Sequence, residues 1–290
     1  MLRRIAVWIL GILLFGGVAA QAADDLPDIL ARGTLRHLGV PYANFVTGAG
    51  DGFSVDMMKL FAGHLGVRYE YVETDWDMII PDLIGHKVTP VGGEVKIGAA
   101  VPVRGDLIAN GLTILPWRSK VIRYSTPTFP TQIWLVVRAD SPIRPIAPSG
   151  DLNKDIATVR ALLRNRLVLG KVGTCLDPTL YDIAATGAKS QLFDGSLNDI
   201  AGALMQGEAD ATLLDVPDAF IALRKWPGKI KVVGPLSPMQ DMAVGFRPDA
   251  PLLRAAFETF LKEIRVNGLY GHLIEKYYPL ALSYFPNFFE

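Results

Sequence analysis

Between residues 153 and 233 the chain alternates helical and strand-like stretches at a steady rhythm. Nothing else in the sequence narrows its possible folds as much. Helical patterns over residues 153–163, 178–186, 197–206 and from Pro217 are interleaved with short apolar runs at 167–169, 191–193, 211–214 and 230–233. Neighbouring parallel strands need long crossover connections, usually helices, so this order predicts a mostly parallel sheet with helices on both faces. The punctuation agrees. Asp177-Pro178 and Ser196 read as helix starts, Gly187 and Gly207 as helix stops.

The preceding half follows a looser version of the same plan. A short helix is expected over 25–32, a strand over 35–40 and a loop from Pro41 to Phe45. Ser54 reads as the N-cap of a helix running to Gly66, with Val55, Met58, Ala62 and Leu65 on one apolar face. A strand over 67–72 and a helix opened by Asp75 and closed near Gly85 follow. Residues 87–104 break the rhythm: Val88, Val91, Val95 and Ile97 flank Gly92-Gly93, the pattern of an inserted β-hairpin. A strong strand over 132–137, a Pro-rich connector over 142–149, a strand over 242–246 and helices over 251–266 and 269–277 complete the reading. The result is two α/β halves with loops beyond the strand ends, where open parallel sheets hold small molecules.

Charge excludes one class of partner. The 290 residues carry 29 basic and 29 acidic side chains, with no Lys/Arg cluster, so no nucleic acid is expected. Cys175 is the only cysteine, which rules out an intramolecular disulfide. The four histidines are scattered without ligand spacing, so neither a metal nor a cofactor is expected. At the start, Arg3 and Arg4 precede an apolar run over 5–18 and then Ala20-Gln21-Ala22. This is the order of a secretory signal peptide, expected to span 1–22 and to be cleaved before Ala23. The run is short for a membrane anchor, the competing reading. A soluble, exported protein without disulfides fits a bacterial periplasm.

The candidate binding residues gather around the stretch 105–129. There an apolar run leads into Asn110 and Gly111, with Thr113 and Arg118 following. A glycine turn lets backbone N–H groups approach a guest, and the Thr113 hydroxyl with the Arg118 fork matches the two oxygens of a carboxylate. A strand, a turn and a surface Arg in an ion pair is the plainer alternative. In the second half Lys171, Gly173 and Thr174 lie between a strand and a helix, a position that attracts anions. Asp215 ends an apolar strand, where it either faces a ligand amine or caps the next helix. Tyr42 and Trp76, both on loops, are aromatic faces able to sandwich a small ligand or to join the core.

Seven segments in order carry a resemblance: L-R-H-L-G-V-P-Y-A-N-F, G-F-S-V-D-M-M-K-L-F-A-G-H-L-G-V, D-W-D-M-I-I-P-D-L, G-D-L-I-A-N-G-L-T-I-L-P-W-R-S-K-V-I-R-Y-S-T-P, G-K-V-G-T, A-D-A-T-L-L-D-V-P and L-Y-G-H-L-I-E-K-Y-Y. With them the chain resembles the family 3 extracellular solute-binding proteins, the amino-acid-binding components of ABC importers, over nearly its whole mature length. The resemblance implies the two-lobed type II periplasmic binding fold. Lobe one would be 23–129 with 242–290, lobe two 135–238, and two hinge strands would lie near 130–132 and 239–241. By the same match Gly111, Thr113 and Arg118 would clamp the ligand carboxylate, with Thr174 added from the other lobe. Asp215 would take the amine, Tyr42 and Trp76 would sandwich the ligand, and Lys171 would touch its polar side chain.

The departures bear on the ligand's identity: Leu115-Pro116-Trp117-Arg118 stands where the family usually has Thr-Pro-Glu-Arg, Arg123 where it usually has Asp, Cys175 at a position commonly small or hydroxylated, and the 87–104 hairpin is extra. The implied protein is a monomer that binds a small carboxylate-bearing solute and delivers it to a membrane permease. A dehydratase-like enzyme and a sensory binding protein are the alternatives on the same fold.

Overall fold

A computed structural model describes residues 25–91 and 93–289, so the leader read at 1–22 lies outside the described residues. In chain order the strands are β1 (Thr34–Gly39), β2 (Arg68–Glu73), β3 (His86–Val91), β4 (Glu94–Ala100), β5 (Leu107–Ile108), β6 (Arg123–Tyr124) and β7 (Phe129–Thr131). They continue as β8 (Ile133–Arg138), β9 (Leu167–Gly170), β10 (Lys189–Leu192), β11 (Ala211–Asp215), β12 (Ile230–Pro235), β13 (Gln240–Met242) and β14 (Gly245–Phe246). Two five-stranded sheets form the two lobes, with orders β2-β1-β5-β14-β6 and β10-β9-β11-β8-β12.

Each sheet is parallel through its first three strands and antiparallel beyond. Only the fourth strand of each sheet, β14 or β8, is reversed, so four of the five strands share one direction and the sheets are mostly parallel, as expected. The chain passes between the lobes twice, and the strands that follow those passages, β8 and β14, run against their neighbours. The passages themselves pair as a short antiparallel ladder, β7 with β13, joining Phe129 to Met242 and Thr131 to Gln240.

Several elements differ locally from the sequence reading, each for an identifiable reason. The helix Phe53–His64 is capped by Gly52 rather than Ser54. Carbonyls of the 42–46 loop take its first amides, Phe53 N–H donating to Asn44 (2.8 Å) and Ser54 N–H to Phe45 (3.0 Å). Gly52 adopts φ 137°, and a Cβ there would lie 2.3 Å from the Phe45 carbonyl, so only glycine permits this approach. The helix expected over 178–186 is two 3-10 turns, Pro178–Tyr181 and Ile183–Thr186, broken at Asp182. There the Arg160 guanidinium binds the carbonyls of Tyr181 and Asp182, which a continuing helix would use itself. Asp75 caps the segment as expected, its carboxylate taking the amides of Asp77 and Met78 and its carbonyl the Ile79 N–H (2.8 Å), and the regular helix runs Ile79–Ile84 after a turn that carries Trp76. The insertion is a hairpin, β3 against β4.

Aromatic rings fill the core of the first lobe next to the crossing strands. Phe45, Phe53, Phe129 and Tyr278 meet at centroid distances of 4.8–6.5 Å. Near the C-terminus, the Tyr284 ring meets Phe220 (5.1 Å) and Trp134 (5.9 Å) of the second sheet's lobe at tilted angles. Among the described residues no helix is long and apolar enough to cross a membrane.

His37 on β1 is fully buried, bonded to the Tyr69 hydroxyl (2.8 Å) and the Ala109 carbonyl (2.6 Å). Burial pulls its pKa down to about 4 from 6.5, the Ala109 bond opposing. The folded state thus refuses a proton that the unfolded chain accepts, and stability present above pH 6.5 is lost as pH falls toward 4. Between those limits wild type should lose about 3 kcal/mol more than His37→Gln in denaturant melts, all other groups titrating alike in both. Identical pH slopes for the two proteins would show that His37 carries no such penalty.

Candidate functional site

The loop after β5 is tied to the crossing strand. Ile114 N–H donates to Asp241 (2.8 Å), Ala243 N–H to Leu112 (3.0 Å), and Thr113 bridges to Met242. Gly111 turns the chain at φ 73° with its α-carbon against Phe45, where a Cβ would lie 2.5 Å from the ring. Pro116 then leads into the 3-10 turn Arg118–Lys120, whose first side chain folds back under the loop. Arg118 is 2% exposed. Its Nη1 donates to the Thr113 carbonyl (3.0 Å) and its Nη2 crosses to the Gly173 carbonyl of the second lobe (3.0 Å), while Nε has no partner. The guanidinium lies 5.9 Å from the Trp76 ring and 5.4 Å from Trp117. Among the described residues no carboxylate pairs with it.

Asp215 faces this cluster from the second lobe. It is fully buried at the end of β11 and caps the helix Val216–Lys225, accepting the Asp218 N–H (3.1 Å). The capping role and the inward position therefore coexist, because one oxygen serves the helix and the other accepts the Cys175 thiol (3.6 Å). Burial raises the Asp215 carboxyl to about 6, opposed by the nearby Tyr42 hydroxyl, the Asp218 amide and the thiol. The Tyr42 hydroxyl approaches Asp215 without hydrogen-bond geometry, and burial next to Asp215 and Asp218 drives its pKa well up. Its ring stands edge-on to Trp76 at 5.6 Å. Cys175 sits between the charges, near Thr113 and within the field of Arg118; burial and Asp215 raise its pKa.

Two expected residues are turned to other tasks. Lys171 donates to the carbonyls of Phe193 (3.3 Å) and Asp194 (3.5 Å) on its own lobe. The Thr174 hydroxyl closes its own turn, donating to Lys171 and accepting from Leu176. Arg123 binds the carbonyls of Ser119 and Ile122 at an exposed edge.

The sequence reading named Asn110 only as part of the glycine turn and passed over Asp218. Asn110 is fully buried with both amide atoms unpartnered. Asp218 is 4% exposed, its Oδ2 unpartnered, and its pKa is driven well up by burial and then by Asp215. An acid in the first turn of a helix is ordinary in sequence, and only the packing of that turn reveals its burial. Unpartnered buried polar atoms are rare in native proteins. Here Tyr42, Trp76, Asn110, Thr113, Arg118 and Asp218 each contribute one or more, on both sides of the lobe contact. The contact itself is closed by Arg118 to Gly173 and by Ala43 N–H to Asn198 (2.8 Å).

A sequence profile of the bacterial extracellular solute-binding proteins, family 3, matches residues 39–279. The chain is 26% identical over 223 residues to an octopine-binding periplasmic protein of Rhizobium meliloti, covering 71% of this chain and 69% of that one. It is 24% identical to the lysine/arginine/ornithine-binding periplasmic protein of Escherichia coli, over 93% and 95% of the two chains. A membrane-bound lytic murein transglycosylase F of Desulfosudis oleivorans is 25% identical over 96% of this chain, which spans only 57% of that enzyme. In structure it matches a P235GK mutant of ArgBP from T. maritima at a TM-score of 0.69 and 26% identity, over 88% of this chain and 99% of the other. The chain belongs to the bacterial extracellular solute-binding proteins, family 3.

Proposed function

We propose that this protein binds a small solute carrying a carboxylate and an ammonium group, an amino acid or close relative, between its two lobes. Arg118 and Thr113 take the carboxylate beside the Gly111 turn, Asp215 takes the ammonium, and Tyr42 and Trp76 flank the ligand. Lys171 and Thr174 shape the facing turn. The protein acts in the periplasm as a monomer and hands its ligand to the membrane permease of an ABC importer.

One observation carries the reading: Arg118, buried with no carboxylate partner among the described residues, and Asp215, buried in the other lobe, both lie near Cys175. Lone buried charges are costly, and a zwitterion with its two charges in the matching order would pair both. The relatives named for octopine and for lysine, arginine and ornithine support an amino-acid ligand. The test is a thermal-shift screen of amino acids and their derivatives followed by calorimetry on the hits. A ligand at one hundred times its Kd adds about 2.7 kcal/mol of stability, which such a screen detects. A panel without a single stabilising amino acid at millimolar concentration would overturn the proposal. Binding rather than catalysis requires each hit to be recovered unchanged after prolonged incubation with the protein.

A further inference from the structure

The hairpin β3–β4, the end of the helix Ile79–Ile84 and the turn at 247–249 line a half-open cleft of about 700 Å³. None of the residues proposed to hold the amino acid lines it. The cavity lies behind the 3-10 turn that carries Arg118, with Lys120 and Val121 in its wall. Its walls are mainly aliphatic, and Ile97 of the hairpin is 52% exposed, an apolar surface that folding leaves uncovered.

The charged groups in the lining are unbalanced. Lys120 and Arg247 face a single acid, Asp249, with the His86 imidazole beside them. Arg247 is 7% exposed. Its Nε pairs with Asp249 (3.2 Å), while Nη2 is buried without a partner. Asp249 itself is 61% exposed, so water and salt screen its half of the pair. Lys120 pairs with Glu94, whose carboxylate stands 81% exposed at the surface.

The geometry points to a second binding site, for an amphipathic organic monocarboxylate whose apolar body lies against the hairpin and whose head reaches Arg247. The volume falls in the range of small-molecule sites, which combine apolar walls with few polar groups. A guanidinium with a free donor is the group suited to a carboxylate head. The site gives the hairpin a task, since it supplies the wall that the rest of the lobe lacks. It is independent of the proposed amino-acid binding, and either can fail alone.

Decanoate is the probe, titrated calorimetrically into the full chain. Saturable one-to-one binding is expected, at least tenfold weaker in Arg247→Gln and in Ile97→Asp and unchanged in Arg118→Ala. Ile97→Asp lies on the exposed hairpin and keeps the test valid should Arg247→Gln fold poorly. The proposal is overturned by no saturable binding, by normal affinity in both cavity variants, or by loss of binding in Arg118→Ala, which would place decanoate in the cleft. It is overturned equally by inorganic phosphate or decyltrimethylammonium binding as tightly as decanoate. Sedimentation of the protein with phosphatidylglycerol vesicles but no binding of free decanoate would assign the surface to a membrane instead.

Discussion

Arg118→Ala is expected to bind the amino-acid ligand about 30-fold to several thousand-fold more weakly than wild type. Loss of one partner of a buried charge pair costs about 2–5 kcal/mol, much of it from the charge left stranded, and about 1.4 kcal/mol is a factor of ten. The geometry places this variant toward the upper end. Arg118 is buried between Trp76 and Trp117, so the pair it forms with a carboxylate is shielded from water, where losing one partner costs most. Trp117, where the family pattern has an acid, is part of the reason: an aromatic neighbour leaves the guanidinium uncompensated. The variant also loses the bond from Nη2 to Gly173, one of the contacts that close the lobes. Its fold should survive, since the sheets do not depend on this side chain. Calorimetry on a variant with an unchanged circular dichroism spectrum is the measurement, and near-wild-type affinity would remove the carboxylate clamp from this site.

Asp215→Asn separates two roles that coincide in one side chain. Asparagine caps a helix about as well as aspartate, so the helix Val216–Lys225 should keep its start and the melting temperature should hold. Affinity for the amino acid should nevertheless fall by about 2–5 kcal/mol, because a neutral amide cannot pair with an ammonium. The pH profile supplies an independent check. The Asp215 carboxyl sits near 6, so wild-type affinity should weaken as pH drops through that value and the carboxylate takes up a proton. Asp215→Asn should lack that dependence. A variant with normal affinity and a wild-type pH profile would leave Asp215 as a cap and nothing more.

Much of the architecture was legible because short-range chemistry dictates it. The alternation of apolar strands and amphipathic helices led to two α/β lobes, and Gly93 with its flanking valines led to the hairpin β3–β4. Errors arose where a distant group intervened. Arg160 broke the helix expected at 178–186 by taking its carbonyls. The 42–46 loop supplanted Ser54 as the cap because it lies on the helix start. The mostly parallel direction of the sheets was legible, but the one reversed strand in each, β8 and β14, follows a crossing between lobes that no local pattern encodes.

The same division holds at the site. Gly111, Thr113 and Arg118 sit within one short loop, so their types and spacing alone made a clamp conceivable. Asp215 stood at a strand end with two readings open, and Asp218 looked like any acid in a first helical turn. Sequence by itself determined which side chains are available and which lie near one another along the chain. Only the tertiary structure decided that Arg118 and Asp215 both lie buried beside the 173–175 turn, and that Lys171 turns away. Burial and the meeting of distant segments set the cost of a charge, and both are properties of the packed chain rather than of any stretch of it.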